Sequence, residues 1–302
     1  MPLTPMLRVA HLTDLHFSLA PRSGWPHGPD LLRRTVQALN RLDLDAVVLT
    51  GDLFDEPALD PEPMRAFKYE LRPLRHPWYV ALGNHDVEGP RADLARRRLI
   101  DGLGDHGLSL VGAPWYSVPL PWGHRLVVLD TTDTGEQAYV GWQGRLGRAQ
   151  AQWLRRTLKH HRDEHLLVAM HHPPFKALPF TGPLRFEEKD GARVRRALAT
   201  AGDNMLGALC GHYHHAARAL ISGLDVHASQ ALVEHPHHFR VFTWHPGGCD
   251  IQWHTPMPVT GTSCCPPRHR ARGRLIQSLG ALTAPQRAGA RSMTRPVVMR
   301  RW

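Results

Sequence analysis

The sequence predicts a layered α/β domain, and two of its features carry that prediction. Short apolar runs of strand length alternate along the chain with stretches whose apolar residues recur at helical spacing. Strands that alternate with helices in this way form sheets covered by helices. The chain has 302 residues, 42% of them apolar, which is enough to bury a substantial core.

The first half of the chain provides three buried strands with helices between and after them. The predicted strands are residues 9–13, 46–50 and 78–82. Helical spacing between the first two strands is set by Leu32, Val36, Leu39 and Leu42. Asp30 is expected to cap that helix. Two further helices are expected at residues 63–71 and 92–100.

The second half continues the alternation and then becomes rich in strands. Ala149, Trp153, Leu154 and Leu158 predict a helix near residues 147–161, and residues 194–199 are also expected to be helical. The predicted strands are residues 108–111, 126–129, 166–170, 206–210, 218–221, 225–230 and 239–244. The last three would complete a sheet.

The basic charge of the chain is concentrated at its end. The formal charge is +10, but residues 1–250 hold 28 Lys and Arg against 27 Asp and Glu. From about residue 255 Pro, Gly, Ser, Thr and Arg dominate, which predicts a folded domain over residues 1–254 and a disordered tail over residues 255–302. Nucleic-acid contact by this Arg-rich tail is an alternative that the near-neutral body does not support.

Several general features favour a cytoplasmic protein. No apolar run approaches the ~20 residues that a membrane span needs. The N-terminal residues do not resemble a secretory signal, and the four cysteines show neither a disulfide framework nor zinc-ribbon spacing. The sequence does not indicate an oligomeric state.

Five clusters of polar residues each follow directly on an apolar run. Carboxylate, carboxamide and imidazole groups of this kind suit first-row divalent ions. In an Asp-x-His strand end the two side chains are expected to point the same way across the pleat and so to reach one ion. Gly51, Gly83 and Gly211 are expected to allow sharp turns where a side chain would clash with metal ions. The clusters are Asp14-Leu15-His16, Gly51-Asp52-Leu53-Phe54-Asp55, Gly83-Asn84-His85-Asp86, His171-His172-Pro173 and Gly211-His212-Tyr213-His214.

In this order the clusters resemble the signature of the calcineurin-like metallophosphoesterase superfamily. That signature reads D-x-H, G-D-x-x-D, G-N-H-D/E, a lone H and G-H-x-H, and its match covers about residues 9–215. The resemblance implies an α/β/β/α sandwich of two central sheets flanked by helices. It also implies a hydrolase with two divalent or trivalent metal ions, for which Mn, Fe or Zn is expected.

The resemblance also implies a role for each matching residue. Seven residues would bind the two metals, with Asp52 as the bridge between them. The ligands of the first metal would be Asp14, His16 and His214, and those of the second Asn84, His171 and His212. His171 is preferred to His172 because the family ligand lies two residues before a proline, here Pro173. His85 would be a catalytic non-ligand histidine, Asp86 would orient or polarise it, and Asp55 would support the ligands from behind.

The expected reaction is hydrolysis of a small phosphoester, by a hydroxide held between metals roughly 3.5–4 Å apart. The opening residues 11–16 are most similar to the small bacterial cyclic-nucleotide phosphodiesterases, which favours a phosphodiester substrate. Nucleases and pyrophosphatases of nucleotides or lipid precursors share these motifs and remain alternatives. A binding scaffold without activity is a further alternative, although such relatives usually lack a ligand or the catalytic histidine.

Overall fold

The fold is known from a computed structural model that describes residues 6–20, 27–103, 114–132, 142–177 and 188–256. Its strands are β1 (Leu7–Leu12), β2 (Ala46–Thr50), β3 (Trp78–Ala81), β4 (Tyr116–Leu120), β5 (His124–Val128), β6 (His165–Ala169), β7 (Met205–Cys210), β8 (Ala217–Ile221), β9 (Leu224–Ala228), β10 (Phe239–His245) and β11 (Gly248–His254). Its helices are α1 (Gly28–Leu39), α2 (Pro61–Leu71), α3 (Asn84–Val87), α4 (Ala92–Gly102), α5 (Arg148–His160) and α6 (Glu188–Ala199).

The first sheet joins the two ends of the described chain. Its strand order is β11-β10-β1-β2-β3. Strands β1, β2 and β3 are parallel, with Leu12 opposite Leu49 and Thr50 opposite Ala81. Strand β10 pairs antiparallel with β1, so the first strand of the chain lies inside its sheet rather than at the edge.

The second sheet has the order β4-β5-β6-β7-β9-β8. Strands β5, β6, β7 and β9 are parallel, and the antiparallel strands β4 and β8 close the two edges. Parallel strands are usually buried on both faces, which explains why the sequences of β5, β6 and β7 are almost continuously apolar.

Alternate side chains of the second sheet belong to two different cores. On β5, Leu126 and Val128 pack in the core that the two sheets share. Val127 faces the other way and packs with Leu154 of α5 and Val194 of α6. Helices α1, α2 and α4 pack on the first sheet through their apolar faces. The α/β/β/α sandwich expected from the sequence is therefore confirmed.

Most predicted elements are present, and the differences have local causes. The Asp30 cap is wrong, because α1 already begins at Gly28 and Asp30 lies in its first turn, paired with Arg33. Strand β4 was not predicted because Pro119 interrupts it, which edge strands tolerate. Strand β11 was missed because its four central residues, 250–253, are exposed and do not form an apolar run.

Two predictions concern residues that the structure does not describe. The strand expected at residues 108–111 lies outside the described residues, as do residues 257–302 of the expected tail. The boundary at residue 254 therefore stays a prediction. Within the described ranges, no helix combines the length and apolar character needed to cross a membrane.

The central position of β6 predicts a large effect from truncating its inward side chain. Leu167 is fully buried between the sheets, so Leu167→Ala is expected to lower the free energy of unfolding by about 2–5 kcal/mol. Leu220 on the edge strand β8 is 71% exposed, and Leu220→Ala is expected to change it by less than about 0.5 kcal/mol. Urea denaturation of both variants measures the difference, and equal losses would contradict the described packing.

Candidate metal centre

The five polar clusters lie at the carboxyl ends of five parallel strands. Three follow β1, β2 and β3 of the first sheet, and two follow β6 and β7 of the second. The two sheets bring these ends together, since the backbone N–H of His212 donates to the Asp14 carboxylate at 3.0 and 3.2 Å. The prediction that separate strand ends deliver the polar side chains is confirmed.

A first group of four side chains surrounds one point. It consists of Asp14, His16, Asp52 and His214, whose nearest ligand atoms all lie within 4.8 Å of one another. The Nε2 atom of His214 is 3.2 Å from Nε2 of His16 and 3.3 Å from Oδ1 of Asp14. The Oδ2 atom of Asp52 is 3.8 Å from Nε2 of His16.

A second group of ligand atoms also includes the Asp52 carboxylate. The Nε2 atom of His171 is 3.3 Å from Asp52 Oδ2, 3.2 Å from Asn84 Oδ1 and 3.1 Å from His212 Nδ1. All four residues are buried or nearly so. Asp52 Oδ2 therefore belongs to both groups, which is the geometry expected of a residue that bridges two ions.

Hydrogen bonds behind two of the imidazoles fix which nitrogen faces the site. A carbonyl oxygen can only accept, so the Nδ1–H of His171 donates to Thr50 O at 2.7 Å. A carboxylate likewise accepts, so the Nδ1–H of His214 donates to Glu234 Oε1 at 3.0 Å. In the neutral tautomers both rings then present an Nε2 lone pair to the centre.

Neighbouring acceptors favour the charged form of two of the imidazoles, His171 and His214. Burial alone lowers the pKa of His171, but Asp52, Asp14 and the Thr50 carbonyl outweigh it and raise that pKa to about 9. In the same way burial is outweighed by Asp14 and Glu234, which raise the pKa of His214 to about 10.

The atoms that face the centre fit metal ions. They are carboxylate oxygens, one amide oxygen and imidazole nitrogens, with no sulfur among them. Ligands about 2.0–2.1 Å from a metal, at angles of about 90–110°, lie roughly 2.8–3.4 Å apart. Five of the separations given above are 3.1–3.3 Å. This arrangement could hold two ions, one on each side of Asp52.

The backbone presents these side chains in a way that the sequence reasoning did not foresee. Five of the grouped residues have left-handed backbone conformations, although none is glycine. They are Asp14 (φ 52°), His16 (φ 41°), Asp52 (φ 48°), His212 (φ 68°) and His214 (φ 57°). The Asp-x-His pair therefore does not share a strand pleat, because β1 has already ended at Leu12. Such strain persists where the surrounding structure determines the conformation, which is typical of functional sites.

His85 stands at the open side of the centre. Its ring packs edge-on against His16, with centroids 4.8 Å apart, and about a third of its side chain is exposed. The Nδ1–H donates to the Asp55 carbonyl oxygen at 3.2 Å, with Glu88 Oε1 at 3.7 Å. Burial lowers the pKa of His85, but Asp52, Glu88 and the Asp55 carbonyl outweigh it and raise that pKa above its usual value.

Asp86 was expected to orient or polarise His85, and the structure shows what its carboxylate contacts. Its carboxylate is fully buried and accepts from the backbone N–H groups of Phe54, at 3.0 Å, and Gly83, at 2.8 Å. It therefore ties the strand ends after β2 and β3 together and does not touch the His85 ring. The Asp55 carboxylate lies 3.7 Å from Nδ1 of His16, which agrees with a supporting position behind that ligand.

His172 is distinguished from His171 by its partners. Its Nδ1 pairs with the Thr131 hydroxyl at 2.7 Å, while its ring packs on that of His212. It is one of three histidines that could hold an ion together, but the contact with Asp52 belongs to His171.

Sequence reasoning missed two groups that support the centre. Glu234, behind His214, lies in none of the five clusters, and only its place after the apolar run 231–233 marks it. The Thr50 carbonyl accepts from both His171 Nδ1 and the Thr13 hydroxyl, but a backbone oxygen leaves no mark in a sequence.

A model of the calcineurin-like phosphoesterase family matches residues 7–216, and the chain belongs to this family. It is 30% identical over 235 residues to "cAMP/cGMP dual specificity phosphodiesterase MT0825" of Mycobacterium tuberculosis (strain CDC 1551 / Oshkosh), covering 73% of this chain and 66% of the relative. It is 27% identical to a "Probable cyclic nucleotide phosphodiesterase" of Rhodococcus erythropolis (strain PR4 / NBRC 100887), covering 60% of this chain and 55% of the relative. The chain thus spans less than two thirds of the length of these relatives.

Two solved structures share the fold. A dimetal phosphatase from Danio rerio has a TM-score of 0.66 at 17% identity, covering 83% of this chain and 96% of that chain. The purple acid phosphatase PPD1 from yellow lupin has a TM-score of 0.60 at 15% identity, covering 84% of this chain and 52% of that chain.

Gly51 and Gly89 provide a matched test of the packing around the second group. Both have left-handed backbones, with φ of +83° and +89°, so alanine is expected to cost each about 1–2 kcal/mol. A Cβ at Gly51 would lie 2.6 Å from His171 Nδ1 and 2.7 Å from the Gly83 backbone, whereas one at Gly89 would meet open space.

Gly51→Ala is therefore expected to lose at least one bound Mn²⁺ and Gly89→Ala to keep both. Metal content after Mn²⁺ loading and desalting, with circular dichroism to confirm folding, measures this. Full Mn²⁺ retention by a folded Gly51→Ala variant would contradict the close packing.

Proposed function

We propose that this protein is a hydrolase that uses two metal ions to cleave a phosphodiester. The observation that carries the proposal is the buried Asp52 carboxylate shared by two groups of ligand atoms. A structural salt bridge needs no such convergence of acceptor atoms from five strand ends. Family membership and the phosphodiesterase names of the relatives support the same reaction.

The proposed ligands are the seven residues expected from the sequence. Asp14, His16 and His214 would hold one ion and Asn84, His171 and His212 the other, with Asp52 between them. His171 is proposed rather than His172 because its Nε2 faces Asp52 and Asn84. Mn, Fe and Zn all suit this nitrogen and oxygen donor set.

The chain's own residues have distinct tasks in this reaction. When bound, the ions would acidify water for attack on phosphorus and offset the charge on the phosphoryl oxygens. His85 stands at the accessible edge with Nδ1 committed to Asp55, which leaves Nε2 to meet the substrate. With its raised pKa, the protonated ring would stabilise phosphoryl charge and give its proton to the leaving oxygen. Asp86 is proposed to act only through the backbone that it ties together.

The substrate class proposed is a small phosphodiester, with cyclic nucleotides first. The names of two relatives refer to cyclic nucleotides. A third relative, from Arcobacter nitrofigilis (strain ATCC 33309 / DSM 7299 / CCUG 15893 / LMG 7604 / NCTC 12251 / CI), is 27% identical, and the match covers 58% of this chain and 59% of the relative. Its name refers to glycerophosphodiesters. A cytoplasmic location is also proposed, supported by the unpaired thiols of Cys210 and Cys249.

Turnover by the metal-loaded protein tests the reaction class. With Mn²⁺ bound, bis-p-nitrophenyl phosphate and cyclic AMP are both expected to be hydrolysed, and Asp52→Asn is expected to abolish both activities, because it removes the shared charge. A protein that binds Mn²⁺ but turns over neither ester contradicts the proposal. Hydrolysis of bis-p-nitrophenyl phosphate but not of cyclic AMP would contradict only the proposal that cyclic nucleotides are the substrates.

The role of His85 as an acid predicts the pH profile of kcat. Its protonated form is the active one and its pKa is raised, so kcat should decline with rising pH, and this alkaline decline should be centred above the usual histidine pKa. His85→Asn is expected to lower kcat roughly 10²–10⁴-fold and to remove that alkaline decline. A variant that keeps the wild-type profile would show that another group donates the proton.

A further inference from the structure

The carboxylate of Glu234 is buried beside the candidate metal centre but outside every motif of the sequence. Glu234 is 4% exposed and lies between β9 and β10, in residues 229–237, here called the 229–237 loop. A carboxylate is costly to bury unless its charge has a specific partner. The residues that the Glu234 carboxylate contacts therefore define its role.

The 229–237 loop is fastened to the strand end that carries Asp14. The backbone N–H of Leu232 donates to Thr13 O at 3.0 Å, and that of Val233 donates to Asp14 O at 3.3 Å. Within the loop, the N–H of His237 donates to Glu234 O at 2.7 Å. The position of Glu234 relative to the first group of ligand atoms is therefore set by backbone hydrogen bonds.

The side chain of Glu234 contacts His214 at the nitrogen that faces away from the centre. Its Oε1 atom accepts from Nδ1–H of His214 at 3.0 Å. The opposite nitrogen, Nε2, then points at Asp14 Oδ1, 3.3 Å away, and at His16 Nε2, 3.2 Å away. A carboxylate behind an imidazole fixes the tautomer and ring orientation, and it makes the other nitrogen a better donor to a metal.

Behind His171, in the second group of ligand atoms, the described residues place a neutral acceptor instead of a carboxylate. The Nδ1–H of His171 donates to the Thr50 carbonyl oxygen, which is polar but carries no net charge. The support of Glu234 is therefore specific to the Asp14 side of the centre. Its removal should affect one ion and spare the other.

We propose that Glu234 is a positioning residue that strengthens metal binding at the group of Asp14, His16, Asp52 and His214 by holding His214 through Nδ1. The proposal rests on the proposed ligand role of His214. In this proposal the carboxylate is not itself a ligand, and it would act on the metal through the His214 imidazole.

Titration calorimetry of the metal-free full-length chain with Mn²⁺ tests the proposal. Glu234→Ala is expected to weaken one of two Mn²⁺ equivalents about 10–100-fold and to leave the other within about twofold. Glu234→Gln keeps an acceptor oxygen but loses the charge, so it should fall between wild type and Glu234→Ala. Activity of both variants should recover as the Mn²⁺ concentration is raised.

Glu164→Gln is the matched control, because the Glu164 carboxylate also contacts an imidazole Nδ1, at 2.6 Å. That imidazole belongs to His161, which directly follows α5 and is not a proposed ligand. The Glu164→Gln variant should bind both Mn²⁺ equivalents as wild type does. Should Glu234→Ala fail to fold, Glu234→Gln still decides the matter.

Three results would overturn the proposal, and they differ from one another. Wild-type affinity for both equivalents in Glu234→Gln and Glu234→Ala would show that the carboxylate does not support His214. Equal weakening of both equivalents would show a general structural effect. A wild-type chain that binds no Mn²⁺ would remove the proposed metal centre as well. If instead it binds two equivalents but hydrolyses no ester, the proposed function fails and the role of Glu234 is still decided by its variants.

Discussion

The carboxylate of Asp52 is the constraint around which the centre is arranged. Its Oδ1 accepts from the backbone N–H of His85, and its Oδ2 faces His171 and His16. A buried anion requires compensating donors or cations, and for Asp52 they come from the loops after β1, β3 and β6, which converge on it. The close approach of Gly83 follows from the same requirement, since a Cβ there would lie 2.2 Å from both the amide nitrogen and Oδ1 of Asp52.

The sequence was sufficient to predict the two-sheet sandwich and the convergence of the polar clusters. Apolar runs such as 46–50 are strands because both faces are buried, and their polar successors lie where parallel strands end. The local geometry could not be predicted in the same way. Asp14 and His16 reach the centre through left-handed backbone, which depends on hydrogen bonds to Gly51 and Asp52 that are made only in the folded state.

The contacts of the supporting carboxylates, Asp86 and Glu234, could not be predicted from the sequence either. Asp86 adjoins His85 in sequence, yet the short helix α3 turns its side chain back onto backbone N–H groups. Glu234 is 220 positions away from Asp14, and only the backbone pairing of Val233 with Asp14 brings it close. Chain adjacency was thus a poor guide to contact, because the groups that orient the candidate ligands come from other loops.

The pairing of β10 with β1 has a consequence for how the protein is made. Strand β1 is translated before the other described strands, yet it occupies the middle of its sheet, where one of its neighbours is formed by residues 239–245. During synthesis one edge of β1 therefore stays unpaired until β10 and almost all other described residues have been translated. Exposed strand edges are aggregation-prone, so nascent chains stalled before residue 239 should be the form that most needs a chaperone.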